Sequence, residues 1–285
     1  PYNAQNLMFR LIHIELHKLR NSRASKFLII TYFVLLTSIA LIAAIKFDIG
    51  TVHFHLAVQG IFNFPYIWHF NTFIAAFFKF FLLLVIVSMM ANEYSNKTLK
   101  QNLIDGLSKK EFVLSKFYTV TLFALVSTVF VFVVSLILGL IYSDYNEFSI
   151  IFSDLQFLLA FFVKLLGFFS FGLFLGVLIK RSAIAVGAML IWFFAALIGY
   201  NIMKWKVLKD EEIAEALFQF APLNSMWNLI DEPFSRLNAV KTIASQIGED
   251  ISSDYSVHFY EIAIVLGWTA LFVYGSYYLL KIRDL

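Results

Sequence analysis

Two lysines inside apolar runs pose the clearest chemical demand in this sequence. Lys79 and Lys164 each fall about nine residues into a long uncharged stretch, a similar depth if both stretches cross a bilayer in the same direction. An ionised side chain at the bilayer centre costs about 2.5–3.5 kcal/mol on insertion scales, so each needs an environment that justifies it. A shared wet cavity wall would do so and could receive an anionic or zwitterionic headgroup. Snorkelling along the aliphatic stem, or hydrogen bonding to backbone within a bundle, would also do so. Glu261 opens a third apolar run, where it is solvated, anchors an outer helix or meets a cargo. His13 and His17 have the i,i+4 spacing of a metal pair, but they share a polar face with Arg10 and Arg20, and solvation accounts for them. No cysteine is present, which excludes disulfides, iron–sulfur ligation and thiol catalysis. Neither GxxxxGK[ST] nor HExxH occurs, and no cluster of His, Asp or Glu falls within the apolar runs. If this protein performs work, the energy comes from another polypeptide, and no cofactor is expected in this chain.

The elements that must position these residues follow from hydropathy. Hydrophobic residues make up 60% of the 285 and charged residues 14%, against about a quarter charged in soluble domains. With a mean hydropathy of +0.79, an all-α polytopic membrane protein is expected. No removable signal peptide is recognised at the start. At about 20 residues per crossing, six spans are predicted: Phe27–Ile45, Phe70–Ala91, Phe117–Tyr142, Leu155–Ile179, Ser182–Met203 and Phe259–Leu280. Residues 1–285 then form a single transmembrane domain. Residues 1–26 are an amphipathic interfacial helix with a break at Asn21-Ser22, carrying Leu7, Met8, Leu11, Ile12, Leu16 and Leu19 on its apolar side. An aromatic belt precedes span two, and Gly167, Gly172 and Gly176 offer small faces for close helix contact in span four.

The segment 92–116 is punctuated locally. Ser95 or Asn96 can cap a short helix that runs to Asp105, Gly106 can end it in the left-handed conformation, and Ser108-Lys109-Lys110-Glu111 is a capping box. The second helix continues without a breaker from Lys109 into span three, as one rod that starts in water and ends in lipid. Segments 1–26, 92–116, 180–181 and 281–285 hold 14 Lys and Arg; 46–69, 143–154 and 204–258 hold 6, and the acids run the other way. The positive-inside rule therefore places both termini and residues 92–116 in the cytoplasm. The external segment 204–258 is expected to form short helices, over Glu211–Phe220 and Ala239–Ile247, with an acidic finish at Glu249, Asp250 and Asp254.

The residues between spans two and three carry a resemblance. Glu93, Thr98, Leu99, Lys100, Leu103, Gly106, Ser108, Lys109, Glu111, Phe112, Leu114, Ser115 and Lys116 form the pattern ExxxxTLKxxLxxGxSKxEFxLSK. With an N-terminal interfacial helix, six spans and outer helices before the last one, the chain resembles the permease subunit of a type-2 ABC exporter. The resemblance implies that the short helix is a coupling helix docking on a separate ATPase subunit through Thr98, Leu99, Lys100, Leu103, Ile104, Gly106, Lys109 and Glu111. It further implies two nucleotide-binding subunits, with ATP and Mg bound there, and a second permease, identical or homologous, that together with this chain encloses an export path. A bacterial cell membrane is the expected location, membrane lipids are partners and nucleic acid is not. An amphipathic, lipid-like or peptide cargo would suit the aromatic-rich spans. A non-transporting scaffold or receptor subunit needs no chemistry and stays open. An ion-coupled secondary transporter would place acids mid-span, and none is there.

Overall fold

The computed structural model describes residues 4–42, 46–49, 52–55, 60–207, 211–237, 240, 245–246 and 255–283. Helix α1 (Ala4–Asn21) and helix α2 (Arg23–Ile42) meet at Ser22 with a bend of 95°. The break is capped: the Ser25 N–H donates to Ser22 Oγ at 3.2 Å. On α2, Tyr32, Leu36 and Ile39 are buried and Phe27, Ile30 and Val34 exposed, one apolar stripe facing in and another facing out. An antiparallel pair of short strands follows, β1 (Lys46–Ile49) and β2 (Val52–His55), a small exception to the all-helical expectation.

Span two is broken, where a uniform Phe70–Ala91 helix is expected. Helix α3 (Tyr66–Phe77) and helix α4 (Lys79–Ser95) join at Phe78 with a 45° bend. The Phe78 N–H bonds to Ala75 O, a tightened last turn, so the next helix begins on Lys79. Helix α5 (Thr98–Ile104) is the short one, and helix α6 (Lys109–Tyr142) is unbroken over 34 residues. A single turn, α7 (Phe148–Ile151), leads to α8 (Gln156–Ile179); α9 (Ser182–Ile202) continues through a π turn to Val207. Then come α10 (Glu211–Phe218), α11 (Pro222–Asn228) and α12 (Phe259–Ile282). Most of the expected Ala239–Ile247 helix and the acidic finish after it lie outside the described residues.

Helix α8 is the centre of the bundle, with 83% of its most apolar stretch buried among α3, α4, α6, α9 and α12. Its glycines allow that. A Cβ at Gly176 would stand 2.9 Å from Met90 Cβ, one at Gly167 would stand 2.8 Å from Val265 Cγ1, and one at Gly172 would collide with Leu83. The expected small faces are therefore contact faces, with α4 on one side and α12 on the other. Helix α9 is the opposite case, only 11% buried, presenting Ile191, Phe194 and Ile198 outward. Four helices are long and apolar enough to cross a membrane, and six crossings result if each bent pair counts as one span.

Candidate functional site

The turn between α5 and α6 is built as its residues dictate. Gly106 has φ +95° with open space around it, so the backbone conformation alone requires glycine. Leu107 N bonds to Asn102 O at 3.0 Å and Gly106 N to Leu103 O at 3.2 Å, the paired bonds of a Schellman ending. The capping box forms: Glu111 N donates to Ser108 Oγ at 3.1 Å and Ser108 N to Glu111 Oε2 at 2.9 Å. The Ser108 N–H, and the Ser108 hydroxyl that donates to the same Glu111 oxygen at 2.7 Å, hold the Glu111 carboxyl below the usual carboxylate range.

The start of α5 differs from expectation. Neither Ser95 nor Asn96 caps it; the N-cap is Lys97, left-handed at φ 55°, with no side-chain cap bond. Helix α4 runs on to Ser95, whose hydroxyl returns to Ala91 O at 2.9 Å and is spent there. Glu93 ties the corner instead, accepting from Thr98 Oγ1 at 2.6 Å and more loosely from Asn102 Nδ2 at 3.5 Å.

Glu93 also belongs to a buried ionic joint. Lys116 Nζ lies 2.5 Å from Glu93 Oε1 and 2.6 Å from Glu15 Oε2, and Lys18 Nζ lies 2.7 Å from Glu93 Oε1. Lys116 is fully buried, Glu15 and Glu93 nearly so, at 0%, 2% and 3% exposure, a degree of enclosure that only pairing makes tolerable for charged groups. Two acids and two bases balance, and the Phe112 ring lies 5.0 Å from the Lys116 ammonium. The joint fastens α1, the end of α4, the start of α5 and the foot of α6 at one point.

With its inner side fixed, α5 turns a definite face outward. Leu99 is buried and Leu103 packs half-buried against the core. Lys100 and Gln101 are exposed, and Ile104 is 69% exposed, an apolar side chain left uncovered at the tip. The Lys109 ammonium donates to the carbonyls of Arg283 at 3.1 Å and Lys281 at 3.4 Å. Arg283 in turn donates to Val177 O at 2.6 Å and Leu178 O at 3.0 Å, closing the orphan carbonyls at the end of α8.

Lys79 and Lys164 meet at Trp227. Lys164 Nζ donates to Trp227 O at 3.0 Å, and the two ammonium groups stand 5.7 Å (Lys164) and 5.4 Å (Lys79) from the centre of the Trp227 ring. The crevice between them, walled by Phe73, Ala76 and Phe77, has a volume of about 10 Å³, room for scarcely one water. Glu261 is elsewhere, accepting from His258 N at 3.2 Å as a helix cap and lining a separate cavity of about 510 Å³ with Asp231, Asn228 and Gln219. His13 and His17 are exposed, and His17 Nε2 is 2.9 Å from Asn21 Nδ2.

Glu15, Lys18 and Trp227 are the important residues that spacing alone passed over. Glu15 had a signal: it lies midway between Leu11 and Leu19, four residues from each, so an acid occupies the buried stripe.

No curated protein matches the chain. The family model described as "ABC-2 family transporter protein" does, over residues 10–285, from within α1 through the last helix. Apolar helices gathered around α8, and a short helix moored outside them, thus have a family: this chain belongs to the ABC-2 family of transporter proteins and is a multi-pass membrane permease of an ABC transporter.

Proposed function

We propose that this permease is driven by a separate ATPase through α5. The observation that carries the reading is the ionic joint: Glu93, Lys116 and Glu15 fasten the base of α5 to α1 and to the foot of α6, so a push on α5 reaches a helix 34 residues long. The exposed Ile104 and Lys100 form the face that meets the ATPase, an apolar contact beside a cation suited to an acidic groove. Two ATPase subunits, each with ATP and Mg, and a second permease complete the transporter. The nearly uncovered α9 supplies an apolar face for that second copy or for lipid. Six spans with both termini cytoplasmic, in a bacterial cell membrane, agree with the 14-to-6 distribution of Lys and Arg. The cargo is amphipathic and leaves the cell.

The reading is tested by Leu103→Pro, which removes a backbone donor inside α5. Proteoliposomes with the ATPase are expected to hydrolyse ATP without moving cargo, or to lose the ATPase on purification. Normal transport with α5 broken would reject α5 as the point of coupling.

A further inference from the structure

Lys79 and Lys164 bring two ammonium groups to one indole, and the ion pairs among the described residues go to other cations, Lys18, Lys116 and Arg236. Both lysines are buried, at 5% and 3% exposure. Lys164 spends one donor on the Trp227 carbonyl; Lys79 faces the rings of Phe168 at 4.8 Å, Trp227 at 5.4 Å and Phe80 at 5.6 Å. Asp231 is the acid that acts on Lys164, and no ion pair joins the two among the described residues. Ring faces attract a cation without taking up its hydrogen-bond donors, so Lys79 and Lys164 both keep donors to spare.

The indole also borders two spaces. One is the crevice of about 10 Å³ beside the lysines; the other is a cavity of about 160 Å³ lined by Phe193, Leu197, Tyr200 and Leu223, with Asn224 and Asn228. Trp227 is common to both linings. It sits near the end of α11, a helix of seven residues, and is 45% exposed, so its ring can turn without displacing a span. Turning it joins the two spaces into one slot with cations at the closed end and aromatic and aliphatic walls leading to it.

We infer that Lys79, Lys164 and Trp227 form a binding site for an anionic amphiphile, a molecule with one phosphate or carboxylate head and an apolar tail. The head lies between the two ammonium groups as the missing counter-ion, and the tail follows Phe193 and Leu197. Trp227 closes the site when it is empty. This inference rests on the transporter reading and adds to it the chemical class of the cargo.

The test uses the full chain with its ATPase in phosphatidylcholine nanodiscs and a dodecyl phosphate bearing a photoreactive diazirine in its tail. Dodecanol and dodecyltrimethylammonium carrying the same group serve as neutral and cationic probes, and the peptide containing Trp227 is analysed by mass spectrometry. Dodecyl phosphate is expected to label that peptide about tenfold or more above either other probe, the scale of a charge-assisted hydrogen bond. Labelling should fall by about the same factor in Lys79→Gln/Lys164→Gln and persist in Lys79→Arg. Where the double variant does not fold, Lys79→Gln alone decides, since Lys79 has no hydrogen bond to lose among the described residues. Equal labelling by the alcohol, or undiminished labelling of the glutamine variants, overturns the inference. So does full displacement by an equal concentration of inorganic phosphate, which would make the ligand free phosphate and the tail irrelevant. Failure of the transporter reading looks different: the wild-type chain would then purify without an ATPase, whatever the probes do.

Discussion

Lys116 and Glu93, 23 residues apart, are held 2.5 Å from one another out of reach of water, and between them in sequence lies all of α5. The pair closes the loop on itself, so α5 is presented by a staple and not by a tether. That relationship sets the first expectation. Lys116→Met leaves Glu15 and Glu93 buried with Lys18 as their remaining cation, and a broken buried pair costs about 3–5 kcal/mol. The thermal midpoint in detergent should drop, and adding Glu93→Gln to Lys116→Met should recover part of the loss. Two unchanged midpoints would mean that the joint carries no stability.

The two faces of α5 should separate folding from association. Leu99→Ala empties a buried position and is expected to cost about 2–4 kcal/mol of stability. Ile104→Asp changes an exposed side chain, so the midpoint should hold while affinity for the ATPase falls about tenfold or more, as at an interface anchor. Pull-down of the ATPase with purified variants distinguishes them; equal behaviour of both would remove the distinction between inner and outer face.

The glycines of α8 should tolerate no side chain. Gly176→Leu and Gly172→Leu drive atoms into Met90 and Leu83, and overpacking of this kind costs about 1–3 kcal/mol or more. A Cβ at Gly187 on α9 would meet nothing within 4 Å, so Gly187→Ala beside Gly176→Ala and Gly172→Ala serves as the neutral control. Size-exclusion profiles after heating report both.

At the ends of α8 and α12, Arg283→Ala removes two bonds to the carbonyls of Val177 and Leu178, each worth about 1.5–3 kcal/mol when the donor is charged. The turn at Lys180-Arg181 should then open more often and be cut faster by trypsin than in the wild type. An unaltered cleavage rate would mean that α8 ends securely without Arg283.

What could be read from the sequence was local. Gly106, the Ser108–Glu111 box and the unbroken helix from Lys109 depend on residues within a turn of each other, and each is found as spacing predicts. The joint could not be read so, because Lys116 meets Glu15 across 101 residues and nothing near Lys116 announces it. Ser95 has the type of an N-cap, but its hydroxyl goes backward along α4, a competition that composition does not decide. The bend at Phe78 has no proline or glycine at it to give it away. Counting residues from span edges put Lys79 and Lys164 at one depth; that they converge on Trp227 depended on how residues 222–228 fold back over the bundle.

Helix α6 has a fulcrum. At 1.5 Å per residue it is about 51 Å long, and the ionic clamp grips it at Lys116, about 10 Å from its lower end, leaving about 40 Å above. A stiff body balanced there has arms in a ratio of about one to four, so a foot displaced by a single ångström would carry Tyr142 about four the opposite way. Spin labels at Lys110 and Tyr142, each measured against the central helix α8, should record excursions in that proportion during ATP turnover.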